Sequence, residues 1–255
     1  MRTIVTERDI YQGLKKLGIK KGNAIEVHCS MHSFGHVEGG ANTVICALKS
    51  AVGSEGSIVM PAFKLSPGYP LTEADKELGL TQKIKLLKND DERSAMGAVA
   101  DTFRKRSDVK VGEGTFRIAA WGKDADIHAE KGFQQIIDSN SPAVLFGVDI
   151  YRLSSMHYVE ASLPQEIKNK FLPSPKAREI YPEKEWLIEA WTPPEQPWYK
   201  IQKMAFEQKL INTLKIGECT CMVLPVQTVV NLYKKELEKD AFGLYGLSDY
   251  EKEYV

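Results

Sequence analysis

Apolar positions along this chain switch between two spacings, the 3.6-residue period of a helix and the near-continuous run of a buried strand. In "TERDIYQGLKKLG", Thr6 and Asp9 stand at capping-box spacing, Ile10, Leu14 and Leu17 share one face, and Gly18 closes a helix. "AIEVHCSM" then reads as a strand. "GANTVICALKSAVG" returns to helical spacing, with Val44, Ile45, Leu48 and Val52 together, a start at an Asn42 cap and a stop at Gly53. "SIVMPAF" is a strand again. Strand, loop, helix and strand in that order predict an α/β fold with parallel pairing.

The alternation continues downstream. Residues 65–80 show no period and read as a long loop. "SAMGAVADTFRKR" predicts a helix with Met96, Val99, Ala100 and Phe103 inward and basic residues at its C-terminal end, where the helix dipole favours them. "TFRIAAWG" and "SPAVLFGVDI" read as strands, and the second is apolar throughout, which places it at the centre of a sheet. Proline and charge gather between residues 163 and 196 around the strand-like "EWLIEAW", marking a peripheral excursion. "ECTCMVLPVQTVVNLYKKELEKD" closes the chain with a strand and an amphipathic helix. The expectation is one domain over 1–255 of α/β class: a mixed, largely parallel central sheet flanked by helices, with the excursion around 163–196.

Composition removes several functions. Lys+Arg and Asp+Glu both number 34, so the formal net charge is zero, without the basic excess that nucleic-acid binding requires. No apolar run approaches the roughly 20 residues of a membrane helix, and no signal-type apolar region opens the chain. A cytoplasmic protein without a membrane partner is expected. Of the four cysteines, Cys29 and Cys46 stand apart and Cys219 and Cys221 share a strand face, which suits reduced thiols better than a disulfide framework.

The chemistry concentrates in "HCSMHSFGHVEGGANTVICAL", where His28, His32 and His36 recur every four residues before Gly39 and Gly40. Such spacing holds zinc only on a helix, and here His28 falls in a strand and Gly35 interrupts the rest, so no metal site is expected. A strand end, a glycine loop and a helix N-terminus together suit an anion such as phosphate, since backbone N–H groups converge there. The stretch is neither a Walker A loop nor a dinucleotide fingerprint, and a plain turn would use the same glycines.

In order along the chain, "EVHCSMHSFGHVEGGANTVICALKSAVGSEGSIVMPAF", "RSAMGAVADTFRKR", "AAWG", "LFGVDIYRLSSMHYVEA" and "CTCMVLPVQTVVNLYKKEL" resemble five segments of the aminoglycoside 3-N-acetyltransferase family. The likeness runs from about Val5 to Leu237. It implies acetyl transfer from acetyl-CoA to an amino group of a small molecule, an aminoglycoside-like compound or amino sugar, by direct transfer with carboxylate assistance. Carried over by position, Met31, His32, Ser33, Phe34, Gly35, Gly39 and Gly40 would lie along the pantetheine and pyrophosphate of CoA, with Ser94, Met96 and Gly97 nearby.

Direct transfer needs a base for the incoming ammonium. The family is expected to supply one from a His-Pro-x-(His/Tyr)-Ser stretch before the "AAWG" strand. Here "EGTFRIAAWG" puts Glu113 where that histidine would stand, and no histidine occurs from residue 37 to 127. Glu113 can replace it if burial raises its pKa. Alternatively the acceptor is a less basic amine, or the protein holds CoA without turnover. Glu160, three residues after His157, fits the family's His-x-x-Glu and would bind the ammonium or orient the base. The expected catalytic set is Glu160, Glu113 and His157. Tyr151 stands where the family has Asp, so the amine pocket differs. Two further features have competing readings: Cys29 as an acyl carrier or a buried thiol, and "NDDERS" from Asn89 as a cation-binding rim or a solvated helix start.

Overall fold

The capping box that opens the chain forms as its spacing predicts. Thr6 Oγ1 accepts the Asp9 N–H at 3.3 Å while the Thr6 N–H donates to Asp9 Oδ2 at 2.9 Å. It follows β1 (Ile4–Val5) and launches α1 (Glu7–Lys16), in a computed structural model that describes residues 4–247. Next come β2 (Ala24–Cys29), β3 (His36–Val37), α2 (Ala41–Val52) and β4 (Ser57–Pro61). The N-cap of α2 is Gly40, at φ +64°, and Asn42 lies inside the first turn rather than capping it.

The stretch read as loop over 65–80 holds a second capping box. Thr72 and Asp75 exchange the same pair of bonds and open α3 (Glu73–Glu77), followed by β5 (Gln82–Lys85). At five residues α3 is too short to show a hydrophobic period. The chain continues through α4 (Gly97–Arg104), β6 (Lys110–Val111), β7 (Ile118–Gly122), α5 (Ala125–Lys131), α6 (Gln134–Asp138) and β8 (Pro142–Phe146). After β8 come α7 (His157–Glu160), α8 (Gln165–Phe171), α9 (Pro175–Ile180), β9 (Trp186–Glu189) and α10 (Pro197–Glu207). The hairpin β10 (Asn212–Ile216) and β11 (Cys219–Pro225) leads into α11 (Val226–Leu244).

Seven strands form the central sheet in the order β10-β11-β8-β2-β4-β7-β6. The sheet is mixed, and its parallel part is narrower than expected: only β8, β2 and β4 pair parallel. The remaining pairings are antiparallel: short reversals join β10 to β11 and β6 to β7, where a parallel pair would need a crossover, and long connections bring β11 against β8 and β7 against β4. Central β8 alternates between two buried faces. Ala143 and Leu145 pack with Val229, Tyr233 and Ile201, while Val144 and Phe146 pack with Leu14, Ile45, Leu48 and Phe103. Helices therefore cover both faces, and each large side chain removed from water contributes roughly 1.5–3 kcal/mol.

The excursion does not stand alone. Its strand β9 pairs antiparallel with β5, joining residues 163–196 to the stretch before α4. The Asp75 carboxylate, fully buried, receives Lys83 Nζ and the Tyr181 hydroxyl, which ties α3, β5 and the end of α9 together. The parallel strands β2 and β8 both end on one edge of the sheet, where their exit loops meet. In α/β folds ligands bind at this edge.

Candidate active site

The loop leaving β2 is braced from three sides. The Ser30 N–H donates to the Phe146 carbonyl at 2.9 Å, tying it to the end of β8. Ser33 Oγ donates to the Ser30 carbonyl at 2.7 Å, and a Cβ placed on Gly147 would collide with that hydroxyl. Gly97, at φ +90°, lies against the Cys29 carbonyl, where a Cβ would stand 3.3 Å away. Met31 and Ser33 are half-buried, and His32, Gly35 and Gly39 are exposed. No side chain caps α2; the Thr43 N–H turns back to the Gly40 carbonyl at 3.1 Å, and the Ala41 and Asn42 amides ahead of it lie beside Gly39 and Gly40, both at positive φ. Open space lies over Gly40, where an added Cβ would meet nothing within 4 Å. This end of the loop suits an anion.

Two residues expected along the cofactor belong to the interior instead. Phe34 is fully buried against Phe146, ring centroids 5.3 Å apart, so it anchors the loop to the core. Ser94 is 2% exposed; its hydroxyl donates to Asp101 Oδ1 at 2.7 Å and accepts the Met96 N–H at 3.1 Å. It braces the start of α4, leaving Met96 and Gly97 nearer the surface. The loop's histidines do not converge: His28 points into the interior, His32 sits on a short turn and His36 lies in β3.

From Gly147 the other exit loop runs ten residues to α7, where His157 and Glu160 meet. One helical turn puts them on a single face. His157 Nδ1 and Glu160 Oε2 are 2.6 Å apart, and the second carboxylate oxygen accepts the Trp198 indole N–H at 3.0 Å. Trp198 also packs edge-on against the His157 ring, centroids 4.8 Å apart. Held at Nδ1 by a fixed carboxylate, the exposed imidazole keeps Nε2 without a hydrogen bond among the described residues. Chemically, such an arrangement can serve as a general base with its orienting group.

The same side of α7 shows what the sequence did not reveal. Tyr151 stacks on Tyr199 at 5.7 Å and also contacts Trp198. Glu189, from β9, is half-buried: burial pushes its carboxyl above the ordinary range, the Glu160 charge adds to this, and His157 opposes it. Trp198, Tyr199 and Glu189 come from segments 26 or more residues beyond Glu160 and carry no motif, so only the tertiary structure collects them.

Glu113 falls elsewhere. It is exposed, and it lines an open cleft of about 590 Å³ with Lys110, Phe116, Arg117, Lys131 and Tyr158. No hydrogen bond or ion pair joins it to His157 or Glu160 among the described residues, and its exposure removes the burial that was to tune it as a base. The "NDDERS" stretch is a loop and not a helix start. Arg104 holds it as a loop by donating to the Asp90 carbonyl at 2.7 Å and the Glu92 carbonyl at 2.9 Å, and Arg117 pairs with the Asp90 carboxylate, keeping that carboxyl below its ordinary range. Burial pushes the Cys29 thiol well up, which favours the thiol over a nucleophilic thiolate.

The family model for aminoglycoside 3-N-acetyltransferases matches residues 27–238. In Bacillus subtilis (strain 168), the SPbeta prophage-derived aminoglycoside N(3')-acetyltransferase-like protein YokD is 26% identical over 269 residues, covering 90% of this chain and 91% of that protein. Among solved structures, the aminoglycoside acetyltransferase AAC(3)-IVa apoenzyme has the same fold at a TM-score of 0.70 and 18% identity, over 96% of this chain and 92% of that one. AAC-IIIb in binary complex with CoASH matches at a TM-score of 0.69 and 14% identity, over 93% and 97%.

Proposed function

Because the chain belongs to the aminoglycoside 3-N-acetyltransferase family, we propose that it moves the acetyl group of acetyl-CoA to an amino group of a small molecule, an aminoglycoside-like compound or amino sugar, with His157 as base. The observation that carries this reading is the 2.6 Å contact between His157 Nδ1 and Glu160, with Glu160 locked from behind by the Trp198 indole. The pair supplies what Glu113, exposed and apart, does not. Acetyl-CoA supplies the activated acetyl group as a thioester. Its phosphates suit the uncapped first turn of α2 and the open space over Gly40, and Met31, His32, Ser33, Gly35, Gly39, Met96 and Gly97 would hold it.

In direct transfer the acceptor ammonium gives its proton to His157 Nε2, and the charge gained by the ring is balanced by Glu160 through Nδ1–H. The freed amine then makes the new C–N bond as the thioester C–S bond breaks. The proton held on His157 goes to the departing CoA thiolate, and the amide nitrogen releases its remaining extra proton to solvent. With Glu189 near Glu160, two carboxylates would face the acceptor, which favours a cationic amine. Tyr151 and Tyr199 give that side an apolar wall.

The test is a transfer assay that follows thiol release from acetyl-CoA over a panel of aminoglycosides, amino sugars and simple amines. Release that depends on an amine and disappears in His157→Asn supports the reading. Tight CoA binding with no amine-dependent release would leave a CoA-binding homologue without turnover.

A further inference from the structure

Strand β2 carries a buried polar network that the sheet does not require. Glu26 is fully buried in the middle of β2, and His28, two residues on and on the same face, is 7% exposed. Glu26 Oε1 lies 2.7 Å from His28 Nε2 and accepts the Ser155 N–H at 3.2 Å. Glu26 Oε2 accepts the Ser155 hydroxyl, and the Ser154 N–H approaches His28 Nε2 at 3.4 Å. An apolar residue in place of Glu26 would complete a strand core without desolvating a carboxylate, and buried polar networks of this kind contribute little net stability. A structural purpose alone therefore does not account for it.

The network is not a hidden nucleophile. Ser155 is fully buried, and its hydroxyl donates to the carboxylate rather than to the imidazole. Its place in the chain points to another use. Cys29, next to His28, ends β2 and opens the loop beyond it, while Ser155 lies two residues before His157. Residues 150–156 form two short 3-10 turns, with no ladder of their own to orient them. Buried Ile150, Leu153 and Met156 hold the segment to the core, but apolar contact is non-directional. The bonds to Glu26 supply direction.

We propose that Glu26, braced by His28 and seated on Ser155, is a positioning residue that fixes the first turn of α7 and with it the His157–Glu160 contact beside the loop leaving β2. Only its catalytic consequence rests on the acetyl-transfer reading. Its structural consequence is testable without activity, through the imidazole tautomer of His157. Glu160 holds the proton on Nδ1, whereas a free neutral histidine prefers it on Nε2.

The experiment is a long-range proton–nitrogen NMR spectrum of the full chain labelled at histidine, recorded at alkaline pH, with the His157 signals assigned by a His157→Asn variant. In the wild type and in Ser57→Ala, a buried change at the opposite end of β4, the Nδ1–H form of His157 is expected. In Ser155→Ala and Glu26→Gln it is expected to give way to an average of both tautomers. If Glu26→Gln does not fold, Ser155→Ala decides alone. An unchanged His157 signal in folded Ser155→Ala, or an equal change in Ser57→Ala, overturns the proposal. In the transfer assay, kcat should fall on the order of 10- to 100-fold with the KM for acetyl-CoA held within about twofold. Absence of transfer in the wild type would count against the proposed function and leave the tautomer result standing.

Discussion

At the residue scale, three side chains of the proposed site stand in a row: Trp198, Glu160 and His157. Each fixes the next, the indole N–H on one carboxylate oxygen and the imidazole Nδ1 on the other. General-base catalysis contributes about 10²–10⁴-fold, so His157→Asn should lower kcat by that order while the melting temperature changes little, the ring being exposed. Trp198→Phe keeps the packing and removes one hydrogen bond to a charged group. A loss of roughly tenfold in kcat is expected from steady-state kinetics. If Trp198→Phe matches the wild type, the chain of orientation is broken at its first link. Glu113→Gln, by contrast, should leave kcat within about twofold, since the exposed carboxylate touches neither member of the pair.

At the element scale, two joints carry the site. One is where the loop leaving β2 leans on Gly147, whose φ is +60° and whose missing Cβ makes room for Ser33. Gly147→Ala should push Ser33 aside and weaken acetyl-CoA binding about tenfold by calorimetry, with a further stability cost of about 1 kcal/mol for the left-handed backbone. The other joint is the small β5-β9 sheet that delivers Glu189. Beside it, buried Asp75 of α3 is held well below its ordinary range, first by Lys83 of β5 and then by Tyr181, while Asp75 raises Lys83. A depressed carboxyl stabilises above its unfolded pKa and loses that contribution as pH falls; a raised lysine does so below its unfolded pKa and loses it as pH rises. The pair therefore supports the small sheet between about pH 4 and pH 10. Fluorescence of Trp186, which packs on Tyr69 and Tyr181, should report local opening below pH 4 before the central sheet unfolds. A single coincident transition would show that the small sheet has no independent stability.

At the scale of the whole molecule, donor binding should appear as stability. A ligand at about 100 times its Kd stabilises by roughly 2.7 kcal/mol. For a chain of this size, acetyl-CoA or CoA should then raise Tm by roughly 5–10 °C. No shift with either would remove the donor and with it the transfer reaction. The large elements behind this site were readable from the chain: α1 with its capping box, α2 with its Gly53 stop, and the apolar runs that became β4 and β8. So was the pair His157 and Glu160, because one turn of helix brings residues three apart onto one face.

What the sequence could not settle is where a run of residues turns once it leaves an element. Phe34 and Ser94 sit inside segments that match a cofactor loop, yet packing against Phe146 and bonding to Asp101 withdraw both from the surface. Glu113 occupies the position of a base and faces a different cleft. Glu189, Tyr199 and Trp198 have no local pattern and reach the site only through the β5-β9 pairing and the packing of α10. Periodicity and capping are local, written in neighbouring residues, so the sequence alone determined the elements and the helical His–Glu pair. Burial and long-range approach depend on the whole chain closing around the sheet, and that closure decided which side chains the site can use.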